Sequence, residues 1–246
     1  METITSRQNS YIRHLRALGS RRDYREERRE YLCDGGKLLR EALAFGAEIR
    51  SILWRGEPGE APAAIPQYLA SEELFDYASP MKNSPGPLFC VAMPPRGDTR
   101  AENAILLETV QDPGNVGTVI RTANAFRIGA VVLCGACADL YHPKTVRSTM
   151  GAIFRQRVVE LRREELGSWL RENGLTLYGA ALSERAEDIR SLSLTHTAVA
   201  VGSEGKGLSR ELLALCEKEL IIPMNPDSES LNAAAAAAVI MWEMAR

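Results

Sequence analysis

The sequence predicts an α/β fold in which a mainly parallel sheet follows a smaller α/β unit. Three observations carry that prediction. From residue 104 onward, short apolar runs alternate with amphipathic stretches at helical spacing, the pattern of a parallel sheet covered on both faces. A stretch rich in Pro, Gly and charge, MPPRGDTRA at 93–101, reads as a linker and divides the chain into domains at 1–95 and 96–246. The length of 246 residues suits one large domain or two small ones.

Helices rich in arginine open the chain, and a short strand at Tyr31–Cys33 comes next. An amphipathic helix then repeats Leu38, Leu39, Ala42 and Phe45 at helical spacing. IRSILWR at 49–55 alternates like a strand, a Pro- and Gly-rich loop intervenes, SEELFDYA reads as a helix and PLFCVAM as an apolar strand. Beyond the linker come AILLETV, VGTVIRTANAF, AVVLCG, a loop with a short helix, FRQRVVE, EELGSWLREN, LTLYGAAL, TAVAVGS, LSRELLALC, ELIIPM and an alanine-rich final helix.

Composition excludes several classes. With 45% apolar and 25% charged residues, 19 Gly and 12 Pro, the chain is not disordered, collagen-like or a coiled coil. Its longest apolar run, Leu231 to Trp242, is interrupted by Asn232 and falls short of the roughly 18–20 residues of a membrane span. The first ten residues lack a basic segment leading into an apolar one, so the cytoplasm is the expected compartment, and five cysteines without framework spacing fit a reducing one. A net charge of -2 argues against coating nucleic acid through bulk charge. Local balance differs: five arginines and one acid lie between Met1 and Arg22, and four basic residues with no acid between Lys144 and Arg157. Either block suits phosphate contacts, and either also suits a solvated face.

In an open parallel sheet, ligands sit in loops leaving the carboxyl ends of strands, and three such loops carry unusual chemistry. In QDPGNVGTVIRTANAF, Pro113 and Gly114 shape a turn, Asn115 is expected to cap the helix, and Arg121 lies off its apolar face. In VGSEGKGLS, Gly202, Gly205 and Gly207 permit close backbone approach around the Glu204 carboxylate. In IIPMNPDSESLNAAAAAA, Ser230 and Asn232 meet the start of the last helix. GSEGKG is not a phosphate-binding P-loop, because Ala200 and Gly207 stand where Gly and Ser or Thr are needed. Gly114 and Gly117 do not complete the dinucleotide fingerprint, and Glu204 would repel a phosphate, so a ligand without phosphates is favoured. Cys134 and Cys137 form a CxxC at a strand end without a second pair, which argues against redox or zinc chemistry; no metal cluster is apparent.

Together, NVGTVIRTANAFRIGA, VRSTMGAIFRQRV, VGSEGKGLS and IIPMNPDSESLNAAAAAA resemble the ordered motifs of the SpoU (TrmH) family of RNA 2'-O-ribose methyltransferases, within the SPOUT superfamily. The resemblance covers roughly residues 102 to 246, while EYLCDGGKLLREALAFGAEIRSILW looks like the L30e-like substrate-binding domain of many members. It implies S-adenosylmethionine as donor, RNA as substrate, with rRNA favoured over tRNA, a deep C-terminal trefoil knot and a homodimer. By matching position it places Asn115, Arg121, Glu204, Ser230 and Asn232 in the catalytic motifs, Arg121 nearest the RNA, and Gly202, Ile222 and Leu231 around the donor. Asn225-Pro226 and the alanine run after Asn232 depart from the family's usual residues and put the pocket's detailed shape in question. The implied mechanism is mostly positioning, with Arg121 holding a phosphate and favouring the 2'-oxyanion. Two alternatives stay open: a catalytically inactive RNA-binding scaffold, and a SPOUT enzyme that methylates a base nitrogen.

Overall fold

The computed structural model describes the chain except residues 96, 98, 226, 228 and 229. Part of the expected linker, and Pro226 of the Asn225-Pro226 pair, therefore lie outside the described residues. Two compact units form: Met1–Gly97 with Asp139–Phe154, and Asp98–Ala138 with Arg155–Arg246.

In the first unit the chain runs through β1 (Glu2–Ile4), α1 (Ser10–Ser20), α2 (Arg22–Arg28), β2 (Glu30–Asp34), α3 (Gly36–Ala44), β3 (Ile49–Arg55), β4 (Gln67–Ala70), α4 (Glu72–Ala78) and β5 (Leu88–Ala92). The sheet order is β1-β4-β3-β5-β2, with β5 antiparallel to both β2 and β3. Strand alternation divides the apolar residues between two faces. Leu32, Leu53, Leu88 and Cys90 join Ile12, Leu15 and Leu18 of α1 and Phe75 of α4, whereas Tyr31, Cys33, Ile52, Trp54, Phe89 and Val91 join Leu38, Leu39 and Ala42 of α3. Sequence reading overlooks β1 and β4, which at 3 and 4 residues are too short to display a period.

The second unit starts with β6 (Ala104–Glu108), α5 (Pro113–Ala125) and β7 (Ala130–Cys134). The chain then makes an excursion, residues 139–154, whose α6 (Pro143–Ser148) groups with the first unit rather than with the domain in which sequence reading places it. The reason is apolar: Tyr141, Val146, Ile153 and Phe154 complete the core around Tyr31 and Trp54. Arg25, 2% exposed, holds the start of the excursion, donating to the Leu18 carbonyl at 2.6 Å and to the Asp139 carboxylate. The second unit resumes with β8 (Val158–Leu161), α7 (Arg163–Asn173), β9 (Thr176–Ala180), the two-residue β10 (Glu187–Asp188), β11 (Thr197–Val201), α8 (Arg210–Leu213), β12 (Lys218–Ile221) and α9 (Ala233–Met244).

Every pairing in this second sheet is parallel, in the order β10-β12-β9-β11-β6-β7-β8. One face buries Leu106, Val132, Leu177 and Ala200 against Leu166, Trp169 and Leu170 of α7. The alternate residues Ile105, Val131 and Val199 are also buried, and α5 and α9 pack along that side. The strand order reverses between β6 and β11, and at such a switch point two neighbouring loops part and leave a crevice. No helix of the described residues is long and apolar enough to cross a membrane.

Candidate active site

The loop after β6 enters α5 one turn earlier than sequence spacing suggests. Asp112, not Asn115, is the N-cap: its side chain accepts the Asn115 N–H at 2.9 Å, and Pro113 occupies the first turn, where a missing N–H costs nothing. Asn115 is thereby released from capping, and its side chain points to other loops. Its Nδ2 donates to Glu204 Oε1, and its Oδ1 accepts from Asn232 Nδ2 at 3.2 Å. Residues 115, 204 and 232, far apart in sequence, thus form one hydrogen-bonded set.

The glycine loop after β11 closes tightly on itself. Gly207 N donates to Ser203 O at 2.8 Å, and a Cβ on Gly202 would stand 2.1 Å from the Gly207 carbonyl carbon, so no other residue fits there. Gly207 itself has φ +65°, which glycine adopts without penalty. Glu204 is carried exposed at the rim of this ring. In the third loop Asn232 caps α9, as its position suggests, accepting from Ala234 N at 2.9 Å and Ala235 N at 3.2 Å. One side chain therefore starts the last helix with its oxygen and reaches Asn115 with its amide nitrogen.

Beside this set lies a cavity of about 370 Å³, within the usual range for small-molecule sites. Gly202, Glu204, Ile222, Ser230 and Leu231 line it, together with Leu182 beyond the end of β9. Most of the lining is aliphatic side chain or loop backbone, with Glu204 the acid and Lys206 the base among the described residues. Such a surface suits a flat, mostly uncharged body whose polar edges meet backbone N–H and C=O groups.

Arg121 is placed differently. It lies six residues beyond Asn115, about 9 Å further along the helix axis, on the exposed side with Thr118 and Ala125. Among the described residues it has no hydrogen-bond or ion-pair partner. Its guanidinium is therefore available to an anionic ligand, but it is not part of the Asn115–Glu204–Asn232 set.

Sequence reasoning misses two buried carboxylates in the strands. Glu108, the last residue of β6, is 2% exposed and meets Arg163 and Ser209. Glu219 on β12 is 9% exposed and receives Ser183 Oγ and Arg185 Nη2 from the loop after β9. For Glu108 the available signal was an acid closing an otherwise apolar strand, AILLE, since an acid there needs a partner when buried.

Burial pushes the Cys134 thiol up to about 11, and Cys137 donates to the Leu107 carbonyl at 3.2 Å. In the first unit His14, Glu30 and Cys90 bring ligand atoms within 4.8 Å of one another. The two His14 nitrogens are engaged by Tyr24 and Glu30 at 3.0 Å, and burial pushes the Cys90 thiol up to about 12.

Comparison with known proteins finds relatives over nearly the whole chain. Residues 102–242 match the model of the SpoU rRNA Methylase family. The chain is 31% identical over 247 residues to the 23S rRNA (guanosine(2553)-2'-O)-methyltransferase RlmP of Bacillus subtilis (strain 168), covering 99% of each. To the tRNA (guanosine(18)-2'-O)-methyltransferase of Thermus thermophilus it is 35% identical, over 58% of this chain and 73% of that one. The SpoU methyltransferase AviRb from Streptomyces viridochromogenes, solved in complex with AdoMet, matches with a TM-score of 0.85 at 26% identity, covering 97% of this chain and 98% of the other.

Proposed function

The chain belongs to the SpoU rRNA methylase family, and from that premise we propose that it transfers a methyl group from S-adenosylmethionine to a ribose 2'-hydroxyl of ribosomal RNA. The observation that carries the reading is the junction of three loops through Asn115, Glu204 and Asn232 at the mouth of a largely aliphatic cavity. The cavity fits the donor: Ile222 and Leu231 offer apolar walls for an adenosyl group, the backbone around Gly202 offers hydrogen bonds, and Glu204 places negative charge where a cationic sulfonium is tolerated. When bound, the donor supplies a methyl group already activated on sulfur.

The protein's own share is alignment and charge. Asn115 and Asn232 hold the loops in register, Ser230 and Glu204 border the space where the ribose must arrive, and Arg121 grips an RNA phosphate and favours the developing 2'-oxyanion, whose proton passes to water. No histidine occurs in the three loops, so electrostatic relief of the hydroxyl proton takes the place of a strong general base. Ribosomal RNA is favoured over tRNA because the relative matched along its whole length is named for 23S rRNA, while the tRNA enzyme is matched over little more than half of this chain.

The first unit, L30e-like in this reading, docks the RNA. Arg16 stacks over Tyr77 with its guanidinium carbon 4.0 Å from the ring centroid and donates to the Tyr77 carbonyl, so its charge is fixed in place without a carboxylate. A homodimer and a C-terminal knot complete the proposal, along with a cytoplasmic site that suits five free cysteines. Exposed Val239 and Trp242 on α9 are the apolar groups a second copy would cover.

The deciding experiment incubates the protein with labelled donor and total cellular RNA and maps the product. A ribose-methylated position in rRNA is the expected result. No transfer would favour the inactive scaffold, and label on a base nitrogen would favour the other alternative.

A further inference from the structure

The Glu108 carboxylate sits at the carboxyl end of β6, beneath the glycine loop and outside the cavity lining. Its Oε2 accepts the Ser209 backbone N–H at 2.7 Å, and its Oε1 accepts both the Ser209 hydroxyl at 2.7 Å and Arg163 Nη2 at 2.6 Å. The Ser209 hydroxyl in turn accepts the Leu212 N–H at 3.1 Å, which starts α8. Ser209 is the residue immediately after Leu208, where the ring closed between Ser203 and Gly207 ends. A single carboxylate therefore sets the exit of the loop that forms one wall of the cavity.

We propose that Glu108 is a positioning residue for the methyl donor, acting through Ser209 on the 202–208 loop. This rests on the methyl-donor reading of the cavity. The physical case is that the ring has little freedom of its own: Gly202 lies against Gly207 with no room for a Cβ, so the loop moves as one piece and its placement is decided at its ends. One end continues β11, which is held in the sheet on both sides by β6 and β9. The other end is held by Glu108. Arg163 pairs with the buried carboxylate, and a carboxylate can accept from all three donors at once. An amide cannot: Gln at this position offers one acceptor oxygen, and its NH2 must face either the Ser209 N–H or the Arg163 guanidinium.

The test is calorimetry with S-adenosylhomocysteine on the full chain, with filter binding of deproteinised ribosomal RNA and thermal melting on the same samples. Glu108→Gln should weaken the nucleoside by about tenfold or more, and Ser209→Ala, which removes only the hydroxyl arm, by about threefold. Arg163→Lys, which keeps a cation beside the carboxylate and does not touch the loop, should stay within about twofold. RNA affinity should stay within about twofold in all three, a split that general destabilisation would not produce. If Glu108→Gln binds the nucleoside like wild type, whatever its melting temperature, the proposal is overturned. Should that variant fail to fold, Ser209→Ala decides alone, and unchanged affinity there overturns it equally. Wild-type protein with no affinity for the nucleoside would instead overturn the donor reading of the cavity, a distinguishable failure.

Discussion

The two units are both α/β, yet only the second gathers its loops at one edge. In the first, β5 runs against β2 and β3, so loops leave from both ends of the sheet. In the second every described pairing is parallel, so the loops after β6, β9, β11 and β12 all leave from the same edge, and those after β9, β11 and β12 line a cavity. Buried polar groups divide in the same way. Glu108, closing β6, and Glu219, within β12, hold loops that border the cavity, whereas Asp34 and Arg25 of the first unit hold chain to chain. Strand direction therefore decides which unit can assemble a reaction site from distant segments, and the other is left to present a surface.

Arg121→Ala puts that division under the greatest strain. If chemistry resides at the loop edge of the second sheet, methyl transfer should fall by at least about a hundredfold, with donor affinity and melting temperature unchanged. Single-turnover transfer reads this, and activity within a few fold of wild type would remove Arg121 from the mechanism. Next in size is Trp242→Glu, which puts a charge on the exposed apolar side of α9. Sedimentation should give about twice 27.1 kDa for the wild type and half that for the variant. A wild-type monomer with full activity would sink the dimer.

A gentler change tests whether the first unit presents its surface to RNA. Neither Arg13 nor Arg16 is ion-paired among the described residues, and both lie on the exposed side of α1. Replacing both by Ala should weaken RNA binding and lower its salt dependence by about two counterions, leaving donor affinity alone. An unchanged salt slope would assign RNA contact elsewhere.

The smallest effect concerns Asp34, which accepts from Ser79 Oγ at 3.1 Å and from Ser84 Oγ. Burial raises its pKa above the ordinary aspartate value, against the lowering effect of the two serines. A carboxyl raised in the folded state lends stability below its unfolded pKa, and that contribution is lost as the pH climbs through the folded value. Asp34→Asn should therefore raise the melting temperature slightly at neutral pH, with the gain shrinking on acidification toward pH about 4. A gain that grows in acid would reverse the sign and refute the desolvation account.

Much of this organisation was legible from the chain. The long strands and helices of the second unit announce themselves because both sheet faces are buried, and the loops after β11 and β12, which line the cavity, stand out at the carboxyl ends of their strands, whereas Gly202, Ile222 and Leu231 were assigned to the donor only through the family resemblance. What was not legible has identifiable causes. Asp112 takes the cap from Asn115 because Pro113 can start a helix, a competition between neighbours that spacing does not rank. Residues 187–188 and 2–4 pair as strands through contacts with distant segments rather than through any local period. Nothing in the apolar character of Val146, Ile153 and Phe154 says which of two cores they will join.

That last point bears on how the protein is made. A ribosome delivers the first unit's strands and helices by residue 97, but the core around Tyr31 and Trp54 lacks part of its filling until residue 154 has emerged. During the interval β6, α5 and β7 are already outside, waiting for a sheet whose remaining strands are not yet synthesised. Neither unit can be finished before the other is begun. The same interleaving means that a protease cutting near residue 97 would not yield two self-sufficient halves, since the fragment after the cut would carry Tyr141, Val146, Ile153 and Phe154 stripped of the partners that bury them.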